Sequence, residues 1–369
     1  MKIVVCGDFV CRFTTEIEVD PDIIALFDSA DYVAVNYEGP ISGYGSPIPK
    51  SGPSVVQMPE STKYLEDLGV NIIMLANNHI MDQGRDGCDA TVRAFGPETA
   101  VIGAGQFADA YHLKVISKDG LRIGLLNLTH KEFGALDIDA GADDYGAAWI
   151  NHPVVNKTIL DAKNHCDVLI VLPHAGVEDL LVPLPEWRAR YKEFIDLGAD
   201  AVIASHPHTP QGWEEYNGKM IFYSLGNFFF QSSAKKHTDN WPKGLMVELE
   251  INHDHSIGWR VYNTRFTNTQ LSMDNSTEAK KYNEYLCDLL RDDKKYRSYL
   301  NEVLKSWWPI YKLYLLRGLG AIAPTTNMHL LSHAAYGLIK GPDMPMMLNN
   351  FQCESHRWAI GRILKMKSR

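Results

Sequence analysis

Between residues 2 and about 205 the chain repeats one unit, a short β-branched run followed by a longer amphipathic or polar stretch. The runs are Ile3–Cys6, Tyr32–Val35, Asn71–Ala76, Val168–Leu172 and Ala201–Ala204, nearly continuous in apolar residues, as strands buried on both faces are. Between them Pro21–Ser29, Glu60–Leu68, Arg85–Phe95, Val154–Asn164 and Glu186–Leu197 read as helices. This alternation predicts an α/β fold built on a largely parallel sheet. Asp119-Gly120 and Asn217-Gly218, each between β-rich runs, supply the positive-φ turns of two hairpins.

After residue 270 the texture becomes helical. Tyr282, Tyr285, Leu286, Leu289 and Leu290 form one apolar stripe, and Tyr299, Leu300, Val303, Leu304, Trp307 and Trp308 a second that closes before Pro309. We therefore expect a main domain over residues 1–269 and a helical region over 270–369. The 369 residues exceed what one core usually organises. Residues 270–369 hold fifteen Lys/Arg against nine Asp/Glu, whereas the whole chain is at −9. That acidic balance argues against nucleic acid as a partner. Trp307-Trp308-Pro309-Ile310-Tyr311 with Lys305, Lys312 and Arg317 is expected to pack on the main domain, the alternative being a peripheral membrane segment, whose composition it shares. Six cysteines lack any C-x-x-C pair, no window approaches eighteen apolar residues, and Met1 runs straight into the first strand, so the expected location is the cytoplasm.

The polar residues that stand out share one position, just after a predicted strand. Asp8, Asn36-Tyr37-Glu38, Asn77-Asn78-His79, His174 and Ser205-His206-Pro207-His208 each follow a different run. In an open α/β sheet the carboxyl ends of the strands meet at one rim, where ligands bind. Carboxylate, amide and imidazole together suit divalent cations of borderline softness. One such histidine alone would be a turn residue. Five strand ends sharing the pattern point to a metal centre.

The segments Cys6-Gly7-Asp8, Asn36-Tyr37-Glu38-Gly39-Pro40, ANNHIMDQG (76–84), PHAGVE (173–178), SHPHTPQG (205–212) and YSLGNFFF (223–230) closely resemble the poly-gamma-glutamate capsule biosynthesis (CapA) family, in family order over roughly residues 1–265. That family is similar to the calcineurin-like metallophosphoesterases. The resemblance implies a four-layer α/β/β/α sandwich with one or two divalent ions (manganese, zinc, iron or magnesium). It makes Asp8 and His208 ligands of one ion, and Asn78, His174 and His206 ligands of the other, with Glu38 between them. It gives His79 the catalytic position, with Asp82 orienting its ring. Two departures from the phosphoesterase pattern are Val10, where a histidine is usual, and Glu38, where an aspartate is. Asn36, Glu178 and Asn227 are expected substrate contacts; the plainer alternatives are a solvated helix-start carboxylate for Glu178 and a turn former for Asn227. The other histidines read as structural or surface residues, His130 after Arg122–Leu126 being the first exception to look for. The implied function is a metal-dependent phosphoesterase acting on an anionic small molecule or polymer in capsule synthesis or remodelling. The alternatives are a non-catalytic assembly factor and a γ-glutamyl amide hydrolase.

Overall fold

A computed structural model describes residues 1–233, 238–318 and 343–368; His237, His329 and His333 lie outside them. Among the described residues one sheet of nine strands contains β1 (Lys2–Val10), β2 (Glu18–Val19), β3 (Tyr32–Tyr37), β4 (Ile72–Met74) and β5 (Ala100–Ile102). A short ribbon pairs β6 (Ala104–Gln106) with β9 (Tyr145–Ala147). A six-stranded sheet contains β7 (Lys114–Lys118), β8 (Leu121–Thr129), β10 (Val168–His174), β11 (Ala201–Ile203), β12 (Trp213–Tyr216) and β13 (Lys219–Phe222). The larger sheet is completed by β14 (Asn227–Phe230), β15 (Lys243–Ile251), β16 (Ile257–Phe266) and β17 (Gln270–Met273). The strand orders are β2-β17-β16-β15-β1-β3-β4-β5, with β14 on the end of β1, and β12-β13-β11-β10-β8-β7.

The helices among the described residues are α1 (Pro21–Asp28), α2 (Glu60–Asp67), α3 (Gly84–Ala94), α4 (Phe107–Ala110), α5 (Pro153–Ala162), α6 (Pro185–Leu197), α7 (Thr277–Arg291), α8 (Asp293–Ser306), α9 (Trp308–Gly318), α10 (Met344–Gln352) and α11 (Glu354–Lys367). None of the described helices is long and apolar enough to cross a membrane. All six cysteines are free and buried.

The alternation of side chains along a strand explains how the sheets pack. Ile3 and Val5 of β1 share a core with Ile123 and Leu125 of β8 and with Ile170 and Leu172 of β10, so the two sheets face each other. Val4 and Cys6 point the other way, against Ile23 and Phe27 of α1 and Leu65 of α2. Leu126, Leu169 and Val171 pack outward on Ile159 of α5 and Trp187 and Tyr191 of α6. Each fully buried aliphatic side chain contributes about 1.5–3 kcal/mol, so a one-residue slip of β1 would forfeit several of these at once.

The same outer core takes in Tyr296, Leu300 and Leu304 of α8, Tyr311 of α9, and Ile360 and Ile363 of α11. The C-terminal helices thus share a core with the six-stranded sheet. The larger sheet itself runs past residue 269, because β17 pairs with β16 and β2. Pro309, read as a stop, sits in the first turn of α9, where a missing N–H is no loss. The hairpin turns hold positive φ at Asp119 and Gly120, and at Asn217 and Gly218. The strand expected at Ile3–Cys6 continues to Val10 because β14 supplies partners for Asp8–Val10.

Candidate metal centre and active site

The parallel strands of both sheets end at one edge. Asp8 reaches it on β1 only because Gly7 has no side chain: a Cβ there would lie 1.9 Å from the Gly226 carbonyl oxygen, which accepts the Asp8 N–H at 3.0 Å. The buried Asp8 carboxylate accepts Asn36 Nδ2 at 2.8 Å and the His206 backbone N–H at 3.2 Å. It lies 3.5 Å from His174 Nδ1 and 3.4 Å from His208 Nδ1. Burial pushes its pKa up, but His174 and His208 outweigh burial and hold it below the usual carboxylate range.

His174 ends β10 and pairs with Ser205 just beyond β11. The next loop carries φ of +101° at His206 and +53° at His208, a region that costs a non-glycine residue of order 1–3 kcal/mol. This strained loop turns both rings into the centre. His206 Nδ1 lies 3.1 Å from His174 Nε2, which is 3.0 Å from Asn78 Oδ1. Burial, with the neighbouring histidines adding to it, pushes the His206 pKa well down, leaving a neutral imidazole that can act as a ligand.

Glu38, just after β3, is the central group. Its Oε1 is 3.6 Å from His208 Nε2, 3.9 Å from His174 Nε2 and 3.8 Å from His79 Nε2. Glu38 is fully buried, and neither of its carboxylate oxygens has a hydrogen-bond partner. Burial raises its pKa well above the ordinary value. Although burial works against it, the proximity of Glu38 and Asp8 raises His208 to about 10. A buried carboxylate without partners costs several kcal/mol, so the pocket calls for a cation at this spot. Ligand atoms of Asp8, Glu38 and His174 lie within 4.8 Å of one another, and with Asn78, His206 and His208 the donor set fits a borderline divalent ion.

Beside this set stands a second arrangement. His79 Nδ1 is 2.7 Å from Asp82 Oδ2. The other Asp82 oxygen is ion-paired to Lys50, and Oδ2 also accepts the Val55 N–H at 2.7 Å. Asp82 therefore holds the ring with Nε2 toward Glu38. Lys50 has no marker in the sequence, because it comes from an irregular loop.

All six expected ligands meet in this crevice, and the expected substrate contacts separate. Asn36 is fully buried, joins Asp8 to His174 at 2.8 and 3.1 Å, and is itself held by Asn77. Asn227 is also fully buried and bonds His208. Both are bonded directly to residues of the expected ligand set. Glu178 is exposed on a cavity of about 550 Å³ that opens over Asn78, His79 and His206, in a turn well before α6 rather than at a helix start. The far wall of that cavity is Trp307, Tyr311, Tyr314, Met346 and Asn349 from the C-terminal helices. His130 also lines it, with its ring 4.3 Å from that of His206. Val10 lies fully buried in the apolar core with Phe229 and Phe230.

The bacterial capsule synthesis protein PGA_cap family matches residues 14–232. The chain belongs to this family. It is 30% identical over 222 residues to the capsule biosynthesis protein CapA of Bacillus anthracis, covering 58% of this chain and 53% of that protein. It is 31% identical over 220 residues to the PGA biosynthesis protein CapA of Bacillus subtilis (strain 168), covering 58% and 57%. A probable polyglutamine synthesis accessory protein of Mycobacterium tuberculosis (strain H37Rv) is 26% identical over 210 residues, covering 54% and 55%. The chain spans just over half the length of the curated relatives it matches. Asp8 and the helical wall of the cavity fall outside the family match.

Proposed function

We propose that the chain is a metal-dependent hydrolase that cleaves a phosphoester in the synthesis or remodelling of an anionic capsular polymer, such as poly-gamma-glutamate or a polysaccharide. The observation that carries this reading is Glu38, with two unpartnered buried oxygens amid three imidazoles. Asp8, Glu38, Asn78, His174, His206 and His208 would hold one or two divalent ions. A divalent ion there supplies Lewis acidity to an oxygen of the scissile group and lowers the pKa of water to roughly 7.

The remaining steps belong to the side chains. Asp82 accepts the proton on His79 Nδ1, so Nε2 is the atom that carries the transferable proton. Held toward the cavity, it protonates the leaving oxygen. Lys50 balances the Asp82 charge and keeps that carboxylate from turning. Asn36 and Asn227 hold Asp8 and His208 in place. The aromatic wall lines one side of the cavity with apolar surface.

A second reading, that the centre grips an acidic polymer end without turning it over, is favoured by the accessory role in the name of the mycobacterial relative. Assays of manganese-loaded protein on aryl phosphate mono- and diesters and on a γ-glutamyl anilide separate the readings. Phosphoester turnover that disappears in Glu38→Gln is expected. Metal binding with no turnover of any of these would leave the gripping role, and anilide cleavage alone would mark an amide hydrolase.

A further inference from the structure

A second set of ligand-type side chains lies on the same cavity, on residues that the centre at Glu38 does not use. His130 and Glu132 follow the end of β8, and Cys353 is the junction between α10 and α11. One ligand atom from each lies within 4.8 Å of the others. His130 is 1% exposed and Cys353 fully buried, while Glu132 is open in part to the cavity.

The hydrogen bonds around His130 decide which of its nitrogens is available. Ser355 Oγ donates its only hydrogen to the Gly176 carbonyl and accepts from Trp187 Nε1 at 3.0 Å. Toward His130 Nδ1, 3.2 Å away, it can only accept. The proton is therefore on Nδ1, and Nε2 is a bare lone pair, buried and without a partner. A histidine that donates one N–H to a fixed acceptor while the other nitrogen stays bare is the arrangement found at metal ligands. Nδ1 of the neighbouring His356 is also unpartnered.

The site is built on a rigid frame. Glu354 accepts the Lys131 N–H at 2.9 Å, Asn151 Nδ2 at 2.6 Å and Trp149 Nε1 at 3.1 Å. These bonds pin the α10–α11 junction against the segment after β8. Asn78 Nδ2 donates to Glu132 Oε2 at 3.0 Å, so the carboxylate is oriented as well.

We propose that His130, Glu132 and Cys353 form a binding site for a divalent ion of the zinc class, distinct from the centre at Glu38. Imidazole, carboxylate and thiolate select that class over magnesium or calcium. Three protein ligands leave one position open, and it faces the cavity. The ion ties the C-terminal helices to the end of β8 and fixes the far wall of the cavity relative to Asn78.

Cobalt(II) titration of the full chain, stripped of metal, tests the site. A thiolate bound to cobalt(II) gives an intense near-ultraviolet charge-transfer band, and the ligands around Glu38 include no sulfur. The band is expected in the unaltered chain and in Glu38→Gln, and is expected to vanish in Cys353→Ser together with one bound ion per chain. No band at saturating cobalt in the unaltered chain, a result that depends on no variant folding, overturns the proposal. Survival of the band in Cys353→Ser overturns it too, and loss in Glu38→Gln would show the two sites to be one. The band is read without any assay of hydrolysis, so it stands or falls apart from the phosphoesterase reading.

Discussion

Asn227 determines which nitrogen of His208 faces the centre. Its amide N–H groups go to the carbonyls of His208 and Trp241, at 3.3 and 3.0 Å, so Oδ1, 2.9 Å from His208 Nδ1, accepts the ring proton. Nε2 is left toward Glu38, 3.6 Å away. Asn227→Ala should therefore weaken metal binding by roughly 10–100-fold, the usual effect of removing the partner that orients a ligand. Calorimetric titration of the apo protein with manganese measures it; unchanged affinity would mean that Asn227 only shapes the turn.

His79→Ala should keep its metal and lose turnover by roughly 10²-fold or more, because the ring adjoins Glu38 and bonds Asp82 instead of joining the ligand set. Metal content and kcat on an aryl phosphate are the paired measurements. Full activity in this variant would remove the proton-donor role.

Gly7→Ala should be disproportionately damaging for one methyl group. The new carbon would meet the Gly226 carbonyl oxygen at 1.9 Å, so β1 must move away from the turn before β14 and carry Asp8 with it. We expect a loss of about 1–3 kcal/mol, the range for overpacking, along with loss of metal. Thermal unfolding and metal analysis of the same preparation test both parts.

Arg188 on α6 joins Glu214 at 2.8 and 2.6 Å and the Leu290 carbonyl at 3.0 Å, with its guanidinium over the Tyr296 ring. Arg188→Ala should cost about 3 kcal/mol in urea unfolding at neutral pH, as breaking a largely buried pair does. Burial raises the Glu214 pKa, but hydrogen bonds from Arg188 and Tyr223 outweigh it and bring it below its ordinary 4.5. A depressed carboxylate stabilises the fold above its unfolded pKa and stops doing so as pH falls through the folded one. The gap between the native chain and Arg188→Ala should thus narrow on acidification below pH 4.5. A constant gap would mean that packing of the Arg188 stem, not its charge, is what counts.

The strand ends were legible because burial on both faces leaves apolar runs, and a buried polar residue after such a run stands out against them. Asp8, Glu38, Asn78, His174, His206 and His208 all carried that mark. Lys50, Glu132 and Cys353 did not, since each arrives from a loop or helix junction whose position is set by packing between distant segments. Asn36 and Asn227, expected from the sequence as substrate contacts, also bond Asp8 and His208 through hydrogen-bond directions that no spacing encodes. Short strands such as β2, β14 and β17 were missed because two to four residues give too little alternation to register.

The cavity wall formed by Trp307, Tyr311 and Met346 lies beyond the stretch matched by the family, residues 14–232. The side chains gathered around Glu38 and the helical wall that faces them across the cavity are thus encoded in separate parts of the gene. Exchange of the C-terminal segment among members of the family would re-line the cavity while leaving Asp8, Glu38, Asn78, His174, His206 and His208 in place, and would carry Cys353 away with it, a division of labour that invites chimeras as readily as point variants.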